Sequence, residues 1–166
     1  MKNEQVAELL YQALETERGG IEVYTAALEC VLNDDLKKEW QEYLEQTRNH
    51  EQIVLAVMDK LGLDPQMETP GQLVVRQIGE SLVEAMEMAL EGGPPEAAQL
   101  VACESVVQAE TKDHLNWELI HEIAEKSKVP SSPSTVDPYW TCGAFKPCAM
   151  SGLAKPRSSS RSSVGG

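Results

Sequence analysis

Aromatic residues are scarce in this sequence, at 5% of the chain with a single Phe. Any core must therefore be built from Leu, Val, Ile, Ala and Met. Basic residues are outnumbered as well, with 14 Lys and Arg against 27 Asp and Glu, for a formal charge of −13. Affinity for nucleic acid rests on neutralising phosphates with Lys and Arg, so nucleic acid is excluded as a partner. An anionic membrane surface is excluded on the same ground. No run approaches the roughly 18 apolar residues of a membrane span. The opening MKNEQVAELL has no apolar stretch of the kind a secretory leader carries. No stretch alternates polar and apolar residues long enough to read as a strand. The four cysteines, Cys30, Cys103, Cys142 and Cys148, form no disulfide framework. Cys142 and Cys148, with no His near them, cannot close a four-ligand metal site alone. A reducing cytoplasm is the expected setting.

What is present divides sharply. Residues 1–126 hold 26 acids and 9 bases, whereas residues 127–166 hold one acid, Asp137, and five bases. The second segment also has ten Ser and five Pro, a composition that cannot bury enough surface to offset its ordering entropy. Two regions are expected: a helical body over 1–126 and a disordered Ser/Pro-rich tail over 127–166. Turn formers punctuate the body at Asn33-Asp34-Asp35, at Gly62 to Gly71, and at Gly92-Gly93-Pro94-Pro95. Helices are predicted over about 3–32, 35–61, 71–91 and 95–126, with Asp34 or Asp35 capping the second. Two antiparallel helical hairpins making an all-α four-helix bundle follow.

Each helix should carry an apolar stripe with steps of three and four. Helix 1 offers Ala7, Leu10, Leu14, Glu17, Ile21, Tyr24, Leu28 and Val31, so one inward position is a carboxylate. Helix 2 offers Leu36, Trp40, Tyr43, Thr47, His50, Val54, Val57 and Leu61, with two polar neighbours one turn apart. The first hairpin turns near residue 33, which sets Glu17 and His50 at the same height. Helix 4 offers Leu100, Cys103, Val107, Glu110, His114, Trp117 and His121, again with a Glu and a His on the inner face. Helix 3 has no Glu on its apolar stripe of Val75, Ile78, Leu82 and Ala85; its acids Glu80, Glu84, Glu87 and Glu91 form a separate row. A buried carboxylate must be paired, protonated or metal-bound. Opposed Glu and His side chains offer either an ion pair or two metal ligands.

Inward Glu and His residues at mid-height in four helices resemble the ferritin-like, di-iron carboxylate superfamily. The runs ALETERGGIEVYTAALECVLNDDLKKEWQEYLEQTRNHEQIV and AETKDHLNWELI are similar to a group of bacterial ferritin-like proteins. The resemblance covers residues 4–126. It implies metal ligation by Glu17, His50, Glu80, Glu110 and His114, with iron or manganese as the ion. It also implies a long crossover that makes helices 2 and 3 parallel and brings Glu80 toward the site. A simple up-down-up-down bundle would instead set Glu84 and Glu104 near that height. The sequence departs from the family pattern at Thr47, where a bridging Glu is expected.

Two functional readings stand side by side. In one, the chain is a metal-binding ferritin-like protein acting as an iron- or manganese-dependent oxidoreductase on oxygen or peroxide. In the other, it is a metal-free bundle serving as an interaction or dimerisation module, and the Glu and His residues form a buried polar network. The partners implied are metal ions and, for the module, a second copy in a homodimer.

Overall fold

The computed structural model describes residues 3–126. The expectation for 127–166, with Cys142 and Cys148, falls outside the described residues. Four helices follow in order: α1 (Asn3–Cys30), α2 (Asp34–Leu61), α3 (Pro70–Gly92) and α4 (Pro95–Lys126). None is long and apolar enough to cross a membrane.

The helix ends follow local chemistry. Asn33, rather than Asp34 or Asp35, caps α2; its side chain accepts from the Leu36 amide at 2.9 Å. Asp34 and Asp35 occupy the first turn instead, where carboxylates complement the helix dipole. Helix α2 ends at Gly62, which adopts the left-handed conformation (φ 67°) that a Cβ would disfavour. Helix α3 opens with a capping box between Thr69 and Gln72, followed by Pro70 in the first turn.

Helix α1 is the hub and packs against all three others. Its first face takes α2, running the other way: Arg18 pairs with Glu51 at 3.3 Å, and Gly20 faces Thr47. Antiparallel α4 lies on its second face, where Asn116 donates to Thr16 and Tyr24 donates to Glu110. On its third, α3 runs in the same direction as α1. Thr69 donates to Glu8, Gln72 and Arg76 reach Glu15, and Gly79 lies against Gly19. The bundle is therefore up-down-up-down, and the crossover expected between α2 and α3 is absent. The connection over 62–69 turns on itself through the Gly62 cap and the Asp64–Gln66 bond, and Thr69 is tied to the same end of α1. Eight residues that turn twice cannot span the length of a bundle.

Close helix contact explains the glycine pair in α1. A Cβ on Gly19 would sit 3.8 Å from the Gly79 Cα, and one on Gly20 would sit 3.1 Å from the Thr47 methyl. These positions let α3 and α2 approach the hub. Near the α1–α2 turn, a core gathers Val23, Tyr24, Ala27, Trp40, Met86, Ala102 and Val106. A second core near the opposite end gathers Leu10, Tyr11, Leu14, Val54, Met58 and Trp117. Polar residues occupy the height between them.

Candidate metal centre

Three chemistry-bearing side chains converge at that height. Glu17 comes from α1, His50 from α2 and Asp113 from α4, and their ligand atoms all lie within 4.8 Å of one another. The hub position of α1 buries Glu17 to 1% exposure. Its Oε1 accepts a hydrogen bond from the Trp117 indole at 2.7 Å, which fixes the carboxylate and aims Oε2 at the group. The His50 Nδ1 stands 3.8 Å from that Oε2. The His50 ring lies edge-on to Trp117, with centroids 5.4 Å apart, and one-third of its side chain is open to solvent.

The electrostatics are those of acids held without enough counter-charge. Among the described residues, the buried side-chain oxygens lacking a hydrogen-bond partner are Glu17 Oε2 and Asp113 Oδ1. Burial is the main cause that pushes both carboxyls above their ordinary range, and the charge of Asp113 adds to it at Glu17. Two facing carboxylates cannot both ionise cheaply, so without a cation the pair shares a proton. Burial also lowers the His50 pKa, which favours its neutral, ligating form. Nearby, the Tyr24 hydroxyl donates to Glu110 at 2.6 Å. Burial raises the Glu110 carboxyl too, and the Tyr24 bond opposes that rise.

The donor set suits one divalent cation. Ligands about 2.1 Å from an ion lie roughly 3.0–4.2 Å from one another, so separations of up to 4.8 Å need to close by about 1 Å. A cation would satisfy both orphaned oxygens and replace the shared proton. The set does not suit a pair of ions. Thr47, where a bridging Glu would sit, is buried and donates its hydroxyl to the Tyr43 carbonyl at 2.9 Å.

Of the residues singled out in the sequence, Glu17 and His50 are brought together. Glu110 is on the adjoining turn of α4 from Asp113 and is held by Tyr24. His114 faces outward, 46% exposed, and pairs with Glu118 at 3.1 Å. Glu80 is exposed on the α1–α3 groove beside Arg18, Glu22 and Arg76. Glu84 and Glu104, the alternatives in an up-down-up-down bundle, are exposed as well. Asp113 is the residue the sequence stripe missed. The expected α4 stripe ran through Leu100 and Val107, which are 47% and 43% exposed. The face that meets α1 carries Ala102, Val106, Glu110, Asp113 and Trp117, a series that also steps by three and four. Small and polar residues on that face, Ala98, Ser105 and Asn116 among them, hid it from an apolar pattern.

Compared with known proteins, the chain matches no family model, no curated protein and no solved structure.

Proposed function

We propose that this chain is a metal-binding four-helix protein, similar to ferritin-like proteins in its inward Glu and His rather than in its topology, that holds one iron or manganese ion. Glu17, His50 and Asp113 are its protein ligands, and Glu110 stands in reserve on the adjoining turn. The observation that carries this reading is the convergence of the Glu17 and Asp113 carboxyls on the His50 ring, with Glu17 Oε2 and Asp113 Oδ1 buried and given no donor by the rest of the protein. A protein rarely retains such atoms without a partner. Bound there, the ion would supply Lewis acidity and one-electron chemistry toward oxygen or peroxide, the basis for an oxidoreductase. The partly exposed edge of His50 marks the side from which a small substrate would reach the ion. The free, buried thiols of Cys30 and Cys103 suit a reducing cytoplasm.

The test is elemental analysis of protein purified without chelator, and after anaerobic loading with ferrous iron or Mn(II), on the parent and on His50→Ala. About one equivalent in the parent, lost in the variant, supports the reading. No metal in the parent after loading overturns it. The second reading, a metal-free module, draws on the bonds that Trp117 and Tyr24 already give Glu17 and Glu110. It predicts the same null result together with unaltered stability when divalent ions are added.

A further inference from the structure

Helix α3 carries more apolar surface than the bundle covers. Its inward positions are Gln72, Val83 and Met86, yet Val74, Ile78 and Met88 are 60%, 55% and 69% exposed. The Glu80, Glu84, Glu87 and Glu91 row borders this face at Met88, one turn from Glu84 and Glu91, and leaves Val74 and Ile78 clear of it. Beside it, between α1, α3 and α4, runs a groove of about 60 Å³ lined by Val75, Ile78, Leu82, Gln108 and Lys112. Small-molecule sites are several times larger, about 300 Å³ and up. The groove has the size of an inserted side chain.

Helix α4 completes the surface with an ordered series. Ala97, Val101, Glu104, Gln108, Lys112, Leu115 and Leu119 follow one another by steps of 4, 3, 4, 4, 3 and 4. Such steps keep all seven on one helix face. None of them is fully buried, and Leu115 is half exposed. The series reads the same from either end, with Gln108 at its centre. Its chemistry is complementary about that centre: Val101 mirrors Leu115, Glu104 mirrors Lys112, and Ala97 mirrors Leu119.

We infer that the outer face of α3 and α4 is the interface of a two-fold dimer, with α4 crossing its copy antiparallel at Gln108. In an isologous contact residue i meets j and j meets i. Glu104 of one protomer then faces Lys112 of its partner, twice, the Lys112 ammonium keeping its bond to Asn116 of its own chain, and Val101 faces Leu115, twice. The apolar α3 residues flank this seam. A helix of 23 residues is about 35 Å long and two helices side by side span about 20 Å, so the face offers roughly 700 Å² per protomer. That is close to the 800 Å² per partner typical of stable complexes. Charge argues for the same occupant. The body is strongly acidic, and two copies can meet without repulsion only across a patch whose acids are matched by bases.

The test is sedimentation equilibrium of the full chain with four proteins: the parent, Glu104→Lys, Lys112→Glu and the double swap. Circular dichroism of each checks that helix content is retained. The parent is expected at twice the 18.3 kDa chain mass. Either single reversal puts like charges together twice and should raise the dimer dissociation constant by at least about 10-fold, and the double swap should restore it. A parent that is monomeric at about 100 μM overturns the inference, even if a basic amphipathic peptide then binds the face. A dimer indifferent to both single reversals, or broken by the double swap, also overturns it. Should the variants misfold, Gln108→Cys decides: under mild oxidation it should form a cross-linked dimer that the identically treated parent does not, and absence of that cross-link refutes the geometry.

Discussion

Glu17→Gln should stabilise the metal-free protein at neutral pH while abolishing its metal binding. The carboxyl at this position has an ordinary value of 4.5, raised in the fold chiefly by burial and then by Asp113. Above pH 4.5 the unfolded chain releases this proton while the folded chain keeps it. The unfolded state then binds fewer protons, so stability falls as pH rises until the folded group itself ionises. At pH 7.5, three units above the unfolded value, the ceiling on this loss is about 4 kcal/mol. The solvent-exposed edge of His50 and the Trp117 hydrogen bond reduce it to about 1–2 kcal/mol. Glutamine has the shape of the protonated acid. Its oxygen still accepts from Trp117, and its amide can donate to Asp113, so it supplies permanently what the shared proton supplies only at low pH. Urea unfolding in chelator, followed by circular dichroism, measures this at pH 5.5 and 7.5. The expected result is a gain of about 1–2 kcal/mol at pH 7.5, little change at pH 5.5, and a flatter pH slope, the residual slope belonging to Asp113. A loss of stability at pH 7.5, or an unaltered slope, would refute the shared-proton account.

Other substitutions probe separate parts of the structure. His50→Ala should leave the metal-free stability within about 1 kcal/mol, because the ring is partly exposed, yet weaken divalent-ion binding at least about 10-fold by calorimetric titration. Trp117→Phe keeps an apolar ring but leaves Glu17 Oε1 without its donor; a cost of about 1–3 kcal/mol is expected in urea unfolding. Gly62→Ala forces a Cβ into a φ of 67° and should cost about 1 kcal/mol, with no effect on metal affinity.

The helices were legible because their breaks are chemically loud. Asn33-Asp34-Asp35, Gly62 through Pro70, and Gly92 through Pro95 bound four runs whose limits match the observed helices to within two residues. The meeting of Glu17 and His50 was legible for a related reason. A tight turn fixes the register of the first hairpin, and register places residues on opposite helices at one height. Topology was not legible, since an eight-residue connection is compatible with either direction of α3 and only its turn geometry decides. Asp113 was hidden by the character of α4. Its solvent side holds Leu100, Val107, Leu115 and Leu119, whereas its core side holds Ala98, Ala102, Ser105 and Asn116. Apolar periodicity therefore caught Cys103, Glu110 and Trp117, which do face the bundle, but drew in the outward Leu100 and Val107 and passed over Asp113. The same uneven distribution explains why the expected α3 stripe of Val75, Ile78, Leu82 and Ala85 is only partly covered.

The most direct measurement is anomalous diffraction at the manganese edge from crystals of the protein loaded with Mn(II). The account predicts one strong peak about 2.0–2.2 Å from Glu17 Oε2, Asp113 Oδ1 and a His50 ring nitrogen, with Trp117 still bonded to Glu17 Oε1. No peak among these three residues, or a peak held only by surface carboxylates such as Glu80 and Glu84, would contradict it.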